Sequence, residues 1–165
     1  MAYRWVANWN TSIAAPWRTL SAVASSWIEA VTPTLSLDIP GNQEYRTLRS
    51  AAGLSMMSEE GAALGLPASW CSVCVRHEGE LIGMGRVVGD GGLFLFVVDI
   101  AVAPAWQGQG LGRRIMQALM DEVHARAPLR TMVALIADGT AHELYAKFGF
   151  KLVAPGAQGM LLRLS

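Results

Sequence analysis

The stretch Val102-Ala-Pro-Ala-Trp-Gln107-Gly-Gln-Gly110-Leu-Gly112 sets three glycines at alternate positions just ahead of a helical run. Glycine lets backbone N–H groups approach a ligand with no Cβ in the way. A helix start behind them adds unpaired donors and a partial positive charge. A phosphate or pyrophosphate is the natural guest of such a cradle. Behind it, Leu111, Ile115, Leu119 and Val123 recur at every fourth position, which predicts an amphipathic helix closed by Pro128. Ahead of it, Leu93 to Val102 is rich in β-branched and aromatic residues and predicts a strand running into the cradle.

Two familiar phosphate loops fit poorly. A Walker A loop ends in Gly-Lys-Ser/Thr, whereas Gly112 is followed by Arg113-Arg114. A dinucleotide fingerprint opens a parallel βαβ unit, but the strand here follows a hairpin meander. Trp70 to His77 turns at Glu78-Gly79-Glu80 into Leu81 to Val88, and Gly89-Asp90-Gly91-Gly92 leads into the cradle strand. A glycine-rich packing turn with no ligand is the remaining alternative.

Outward from this centre, Thr34 to Leu37 predicts a short first strand. Asn42 to Ala52 predicts a helix with Tyr45 and Leu48 on one face, and Ser58-Glu59-Glu60 opens a second, ended by Gly65-Leu66-Pro67. After the cradle helix come a strand at Thr131 to Ala137, a short helix at Thr140 to Lys147 and the terminator Gly149. The tail from Lys151 to Leu164 is expected to hold two more strands around Pro155-Gly156. The result is an α/β (α+β) fold: a mixed, mostly antiparallel sheet of about six or seven strands, flanked by about four helices.

The chain has 165 residues, enough for one core without staples, and its acidic and basic residues balance at thirteen each. That balance offers no footprint for nucleic acid. No apolar run is long enough for a membrane span. The two cysteines, Cys71 and Cys74, suit a reducing compartment, so a cytoplasmic location is expected. On a strand, side chains three apart diverge, and no second pair completes a zinc site, so no metal is expected.

Residues 1–32 are expected to form a separate tryptophan-rich helical extension before a domain over 33–165. Trp5, Trp9, Ile13, Trp17, Leu20, Ala24 and Trp27 recur at helical spacing, and Glu29 is the first acid. The stripe would pack on the domain or make a homodimer; an organellar targeting segment is the alternative, because transit peptides are poor in acids.

Gln107-Gly-Gln-Gly110-Leu-Gly112 after a strand ending in Val-x-Pro resembles the signature of the GCN5-related N-acetyltransferase (GNAT) superfamily. Leu144-Tyr145-Ala146-Lys147-Phe148-Gly149-Phe150 resembles that family's second hallmark, in the right order. Gly83-Met84-Gly85-Arg86, Asp99-Ile-Ala-Val102 and Gly159-Met160 are similar to a plastid and cyanobacterial-type branch, some of whose members act on arylalkylamines. The resemblance implies a GNAT-like fold, acetyl-CoA as donor and transfer to a primary amine of a small molecule. Acetylation of a protein N-terminus or lysine, or a non-catalytic coenzyme A-binding module, are the alternatives.

It further implies that backbone groups of Ile100, Ala101 and Val102 bind the pantetheine arm. Gln107, Gly108, Gln109, Gly110, Leu111 and Gly112 would hold the pyrophosphate, with Arg113 facing the phosphates or simply solvated. Tyr145 matches the tyrosine that protonates the departing thiolate. Asp138 stands where many members carry an asparagine against the pantetheine arm. Asp99, a carboxylate flanked by Val97, Val98 and Ile100, needs a reason to be there: it is either the base that takes the amine proton or a structural carboxylate at splayed strands. Asp90, Glu59 and Glu60 could add acidity for a cationic acceptor. Trp70, Phe94 and Phe96 could wall an aromatic one.

Overall fold

Period-two patterning builds a four-strand antiparallel array, described here, like the rest of the fold, from a computed structural model over residues 32–163. Its strands are β1 (Thr34–Ser36), β2 (Cys71–His77), β3 (Glu80–Gly89) and β4 (Phe94–Val102). The β2–β3 turn places Glu78 and Gly79 at φ 50° and 85°, the left-handed pair that matches strand twist. A fifth strand, β5 (Met132–Leu135), joins β4 in parallel, giving the order β1-β2-β3-β4-β5. Helices α1 (Asn42–Ala51) and α2 (Glu59–Gly65) precede β2, α3 (Leu111–Arg126) connects β4 to β5, and α4 (His142–Ala146) follows β5.

The sheet separates two cores. Against one face lies α3, whose Leu111, Ile115, Leu119 and Val123 are all buried with Val73, Val75, Leu95 and Val97. Against the other lie α1 and α2, with Tyr45, Leu48, Ala62 and Leu66 packed on Cys74, Met84 and Ala101. The strand alternation sends Cys71 into the first core and Cys74 into the second, so the pair diverges as its spacing predicts. Both thiols are free.

Helix α1 starts with a capping arrangement: Glu44 accepts the Gly41 N–H at 2.8 Å, and its carboxylate also meets Arg76 on β2. That contact holds the Glu44 carboxyl below its ordinary range, with the Arg76 hydrogen bond as the largest cause. Ser58 caps α2 through the Gly61 N–H at 3.0 Å, as the Ser-Glu-Glu run predicts.

One expectation needs correction. The sheet has five strands among the described residues, because residues 151–163 form no strand and stay exposed. Apolar residues supply strand propensity, but a strand exists only through its ladder, and this segment pairs with nothing described. The tryptophan-rich extension expected over residues 1–32 lies, but for residue 32, outside the described residues. No helix among the described residues is long and apolar enough to cross a membrane.

Candidate active site

The site begins where β4 and β5 part. Their parallel pairing runs from Phe94↔Met132 to Val97↔Leu135 and stops, whereas β4 stays paired with β3 as far as Val102↔Gly83. An extra residue sits at the parting point. From Met84↔Ala101 to Arg86↔Val98, β3 advances by two residues and β4 by three. Leu95 and Val97 face the α3 core, and so do Ile100 and Val102, so the face parity slips between Val97 and Ile100. That is a β-bulge, and Asp99 occupies it at φ 59°.

Beyond the bulge, β4 offers an open edge. The Ala103 N–H donates to Ile82 O at 2.8 Å, so Ala101 and Ala103 direct their backbone groups to β3. Alternation then turns the backbone of Ile100 and Val102 toward the side β5 has vacated. Of the expected trio, Ile100 and Val102 fit a strand-like ligand. Ala101 does not, because its backbone is spent on β3.

The cradle follows at once. Pro104–Trp106 forms one 3-10 turn, and the Trp106 ring rests 4.7 Å from that of His77. Sequence alone left His77 without a task; it buttresses this turn. Gln107 donates from Nε2 to Val102 O at 3.0 Å, and Gln109 to Ala105 O at 3.2 Å. Both glutamines therefore fasten the loop on itself. Gly108 and Gly110 adopt φ 74° and 80°, and a Cβ at either would meet no atom within 4 Å. Gly110 is the N-cap of α3, and no side chain caps that end. Leu111 is buried and anchors the helix start, while Arg113 and Arg114 are exposed on its first turn. The helix start is thus uncapped by any side chain and its loop lies exposed to solvent, which suits an anion.

Helix α4 packs beside this helix start. A Cβ on Gly112 would lie 3.7 Å from Leu144 Cδ2. The next residue, Tyr145, is buried in the α3 core together with Leu111 and stacks edge-on against Phe150. It lines a cavity of about 410 Å³ with Ala137, His142 and Phe150. Burial first, and then the charge of Asp138, push its phenol above the ordinary value of 10. Asp138 itself is exposed and starts the 3-10 turn Gly139–Ala141.

Asp99 is the member that sequence reasoning placed least well. Its side chain is only 6% exposed. One oxygen takes the Arg49 Nη1 of α1; the other accepts Arg86 Nε of β3 at 2.7 Å and the Tyr45 hydroxyl at 3.1 Å. Both of its oxygens are thus occupied in the interior. Guanidiniums stand where the structural reading expects backbone N–H groups.

The other acceptor-side expectations separate as well. Trp70 lies under Arg126 at 4.2 Å, at the C-terminal end of α3. Phe94 opens β4, and Asp90 accepts three N–H groups in the turn before it. All three lie at the far end of β4 from the cradle, about 26 Å away at strand rise.

Against this geometry, the Acetyltransferase (GNAT) domain family matches residues 69–152. The chain belongs to the GNAT family. A protein of unknown function from meticillin-resistant Staphylococcus aureus, described as a probable acetyltransferase, superposes with a TM-score of 0.78 at 40% identity, covering 81% of this chain and 100% of that one. Among curated GNAT relatives, the GCN5-related N-acetyltransferase 2, chloroplastic, of Arabidopsis thaliana is 33% identical over 88 residues, which is 52% of this chain and 32% of that protein. Serotonin N-acetyltransferase 2, chloroplastic, of Oryza sativa subsp. japonica is 30% identical over 82 residues, 50% of this chain and 40% of that protein. The match thus spans only about a third of the length of such curated relatives. The plastid-type branch expected from Gly83 to Arg86 and Asp99 to Val102 is the one these relatives represent.

Proposed function

We propose that this chain transfers an acetyl group from acetyl-CoA to the primary amine of a small molecule. The observation that carries the proposal is the conjunction of an uncapped helix start behind two left-handed glycines with the open β4 edge leading into it. A pyrophosphate fits the first, and a pantetheine arm, which bears amides, fits the second as an added strand.

In this reading the N–H groups around Gly108, Gly110 and Gly112 bind the pyrophosphate, and Arg113 adds charge from the first turn. Ile100 and Val102 hold the arm by backbone hydrogen bonds. The neutral amine attacks the thioester carbonyl, a C–N bond forms and the C–S bond breaks. The departing thiolate takes the Tyr145 phenolic proton. A phenol whose ionisation is pushed up by burial keeps that proton until the thiolate develops. The proton released by the amine passes to water or to His142, which shares the Tyr145 cavity. The buried Asp99 is outside this step.

The test is thiol release from acetyl-CoA across a panel of arylalkylamines, polyamines, aminoglycosides and amino acids, with N-terminal and lysine peptides beside them. Turnover on a small amine supports the proposal. Turnover on peptides alone moves the acceptor to protein, and binding without turnover on any amine would leave a coenzyme A-binding module. For location, a cytoplasmic protein is the proposal, while the chloroplastic names of the plant relatives support the organellar alternative; fractionation of the tagged chain separates them.

A further inference from the structure

The buried group around Asp99 joins more than a carboxylate and its partners. Asp99 stands at a left-handed φ that non-glycine residues adopt at a cost, so the surroundings must hold it there. Arg49, on α1, meets Asp99 and also donates to Ser55 O through Nε at 2.9 Å and Nη2 at 2.7 Å. Arg86, on β3, meets Asp99 and also donates to Gly65 O at 3.2 Å and to Ser69 Oγ at 2.9 Å. Both ends of the segment Ser55–Gly65, which contains α2, are therefore tied through a guanidinium to the same carboxylate. The Tyr45 hydroxyl completes the group, and its ring lies 5.6 Å from the Arg49 guanidinium and 5.5 Å from that of Arg86.

The position of this group along β4 gives it a consequence. The pairing of β4 with β5 ends at Val97, and the open edge starts at Ile100. The bulge at Asp99 is what turns β4 between the two. Without it the alternation would run on from Val97 and carry Ile100 and Val102 to the wrong face.

We infer that Arg49, Arg86 and Tyr45 are positioning residues: acting through Asp99, they hold the β4 bulge and so keep the donor slot at Ile100 and Val102 open and ordered. The inference rests on the acetyl-CoA reading for its function, but the fixing of the bulge is a property of the protein without ligand. The same fastening ties the segment Ser55–Gly65 to the bulge, so loosening one loosens the other.

The experiment uses the full chain with Asp99→Asn, Asp99→Gly, Arg86→Lys and Arg86→Met. Amide hydrogen exchange at residues 97–103 and 55–65 is measured without ligand, and coenzyme A binding is measured by calorimetry. Asp99→Asn tolerates the left-handed backbone and removes the charge. Asp99→Gly removes the carboxylate and all backbone strain, so it separates strain from fastening. The expected result is faster exchange in both segments for both Asp99 variants, with coenzyme A affinity weakened about tenfold or more, the scale of one lost charge-assisted hydrogen bond. Arg86→Lys should recover part of the affinity lost in Arg86→Met. Wild-type exchange and affinity in folded Asp99→Gly would overturn the inference. So would an Asp99→Asn enzyme whose turnover collapses while exchange and coenzyme affinity stay unchanged, since Asp99 would then act in the chemistry. If the Asp99 variants do not fold, Arg86→Lys against Arg86→Met decides by the same two measurements. A wild-type chain that binds no coenzyme A would sink the acetyl-CoA reading, and the exchange data would still report on the bulge.

Discussion

Gly85→Ala is a substitution whose cost can be worked out from the packing. Gly85 is paired with Val73 on β2 and faces α3 across the sheet. An added Cβ would stand 2.6 Å from Ile100 Cδ1, 2.6 Å from Ile115 Cγ2 and 3.0 Å from Leu119 Cδ1. Carbon atoms settle at about 3.5–4.0 Å, so two neighbours must each yield about an ångström. The Ile100 contact is a chain tip that can swing. The Ile115 contact is a branch at Cβ on a side chain with 0% exposure, and Leu119 behind it is equally buried. The helix must therefore lift or Ile115 must leave its rotamer, an overpacking cost of about 2 kcal/mol, within the usual 1–3 kcal/mol range. For a domain of this size the cost lowers Tm by roughly 5–10 °C. Thermal and urea unfolding followed by circular dichroism give the value. Ile115→Leu, which removes the β-branch, should recover part of the loss in the double variant. Stability of Gly85→Ala within about 0.5 kcal/mol of wild type, or no recovery in the double variant, would refute the packing argument.

Tyr145→Phe should bind coenzyme A normally yet lose about a hundredfold or more in thiol release, the usual scale for a lost general acid; full turnover at all pH values would remove Tyr145 from the chemistry. At high pH, the folded chain holds the Tyr45 and Tyr145 protons more tightly than the unfolded chain does, since burial raises both phenols above 10. The stability they contribute is complete below about pH 10 and is lost as pH rises through the folded values. Urea midpoints that stay flat from neutral pH into strong alkali would contradict it. Burial pushes the Cys74 thiol up to about 11, and Cys71 is also raised by burial. A maleimide should therefore label both slowly in the native state and quickly in denaturant; rapid native labelling of either would show that the cores open.

The legible parts of this protein are those that its local sequence determines. The cradle could be placed because glycine is the residue that adopts the left-handed backbone of Gly108 and Gly110 without cost, and because the every-fourth apolar positions of α3 begin directly behind it. The bulge could not. Val97, Val98 and Ile100 are all at home in a strand, so the sequence around Asp99 does not reveal an extra residue. The carboxylate's partners lie 50 and 13 residues away in the chain. One signal was available: Arg49 falls four residues after Tyr45, on the buried face of α1, where a cation needs a buried partner. Arg86 shares its face of β3 with buried Met84 and carries the same message. The tail misled for the opposite reason. Met160, Leu161 and Leu162 are apolar enough for a strand, yet all three are exposed, because residue type cannot supply a pairing partner.

Whether the cradle before α3 holds the pyrophosphate of coenzyme A is decided by calorimetric titration of coenzyme A into wild type and Gly110→Trp. Nothing within 4 Å would touch a Cβ at Gly110 in the free protein, so the indole extends into the ligand's space and not into the core. Left-handed strain at this position costs about 1–2 kcal/mol of stability, which leaves the fold intact by circular dichroism. Wild type should bind clearly and the folded variant not measurably. Equal binding by both would contradict that role for the cradle.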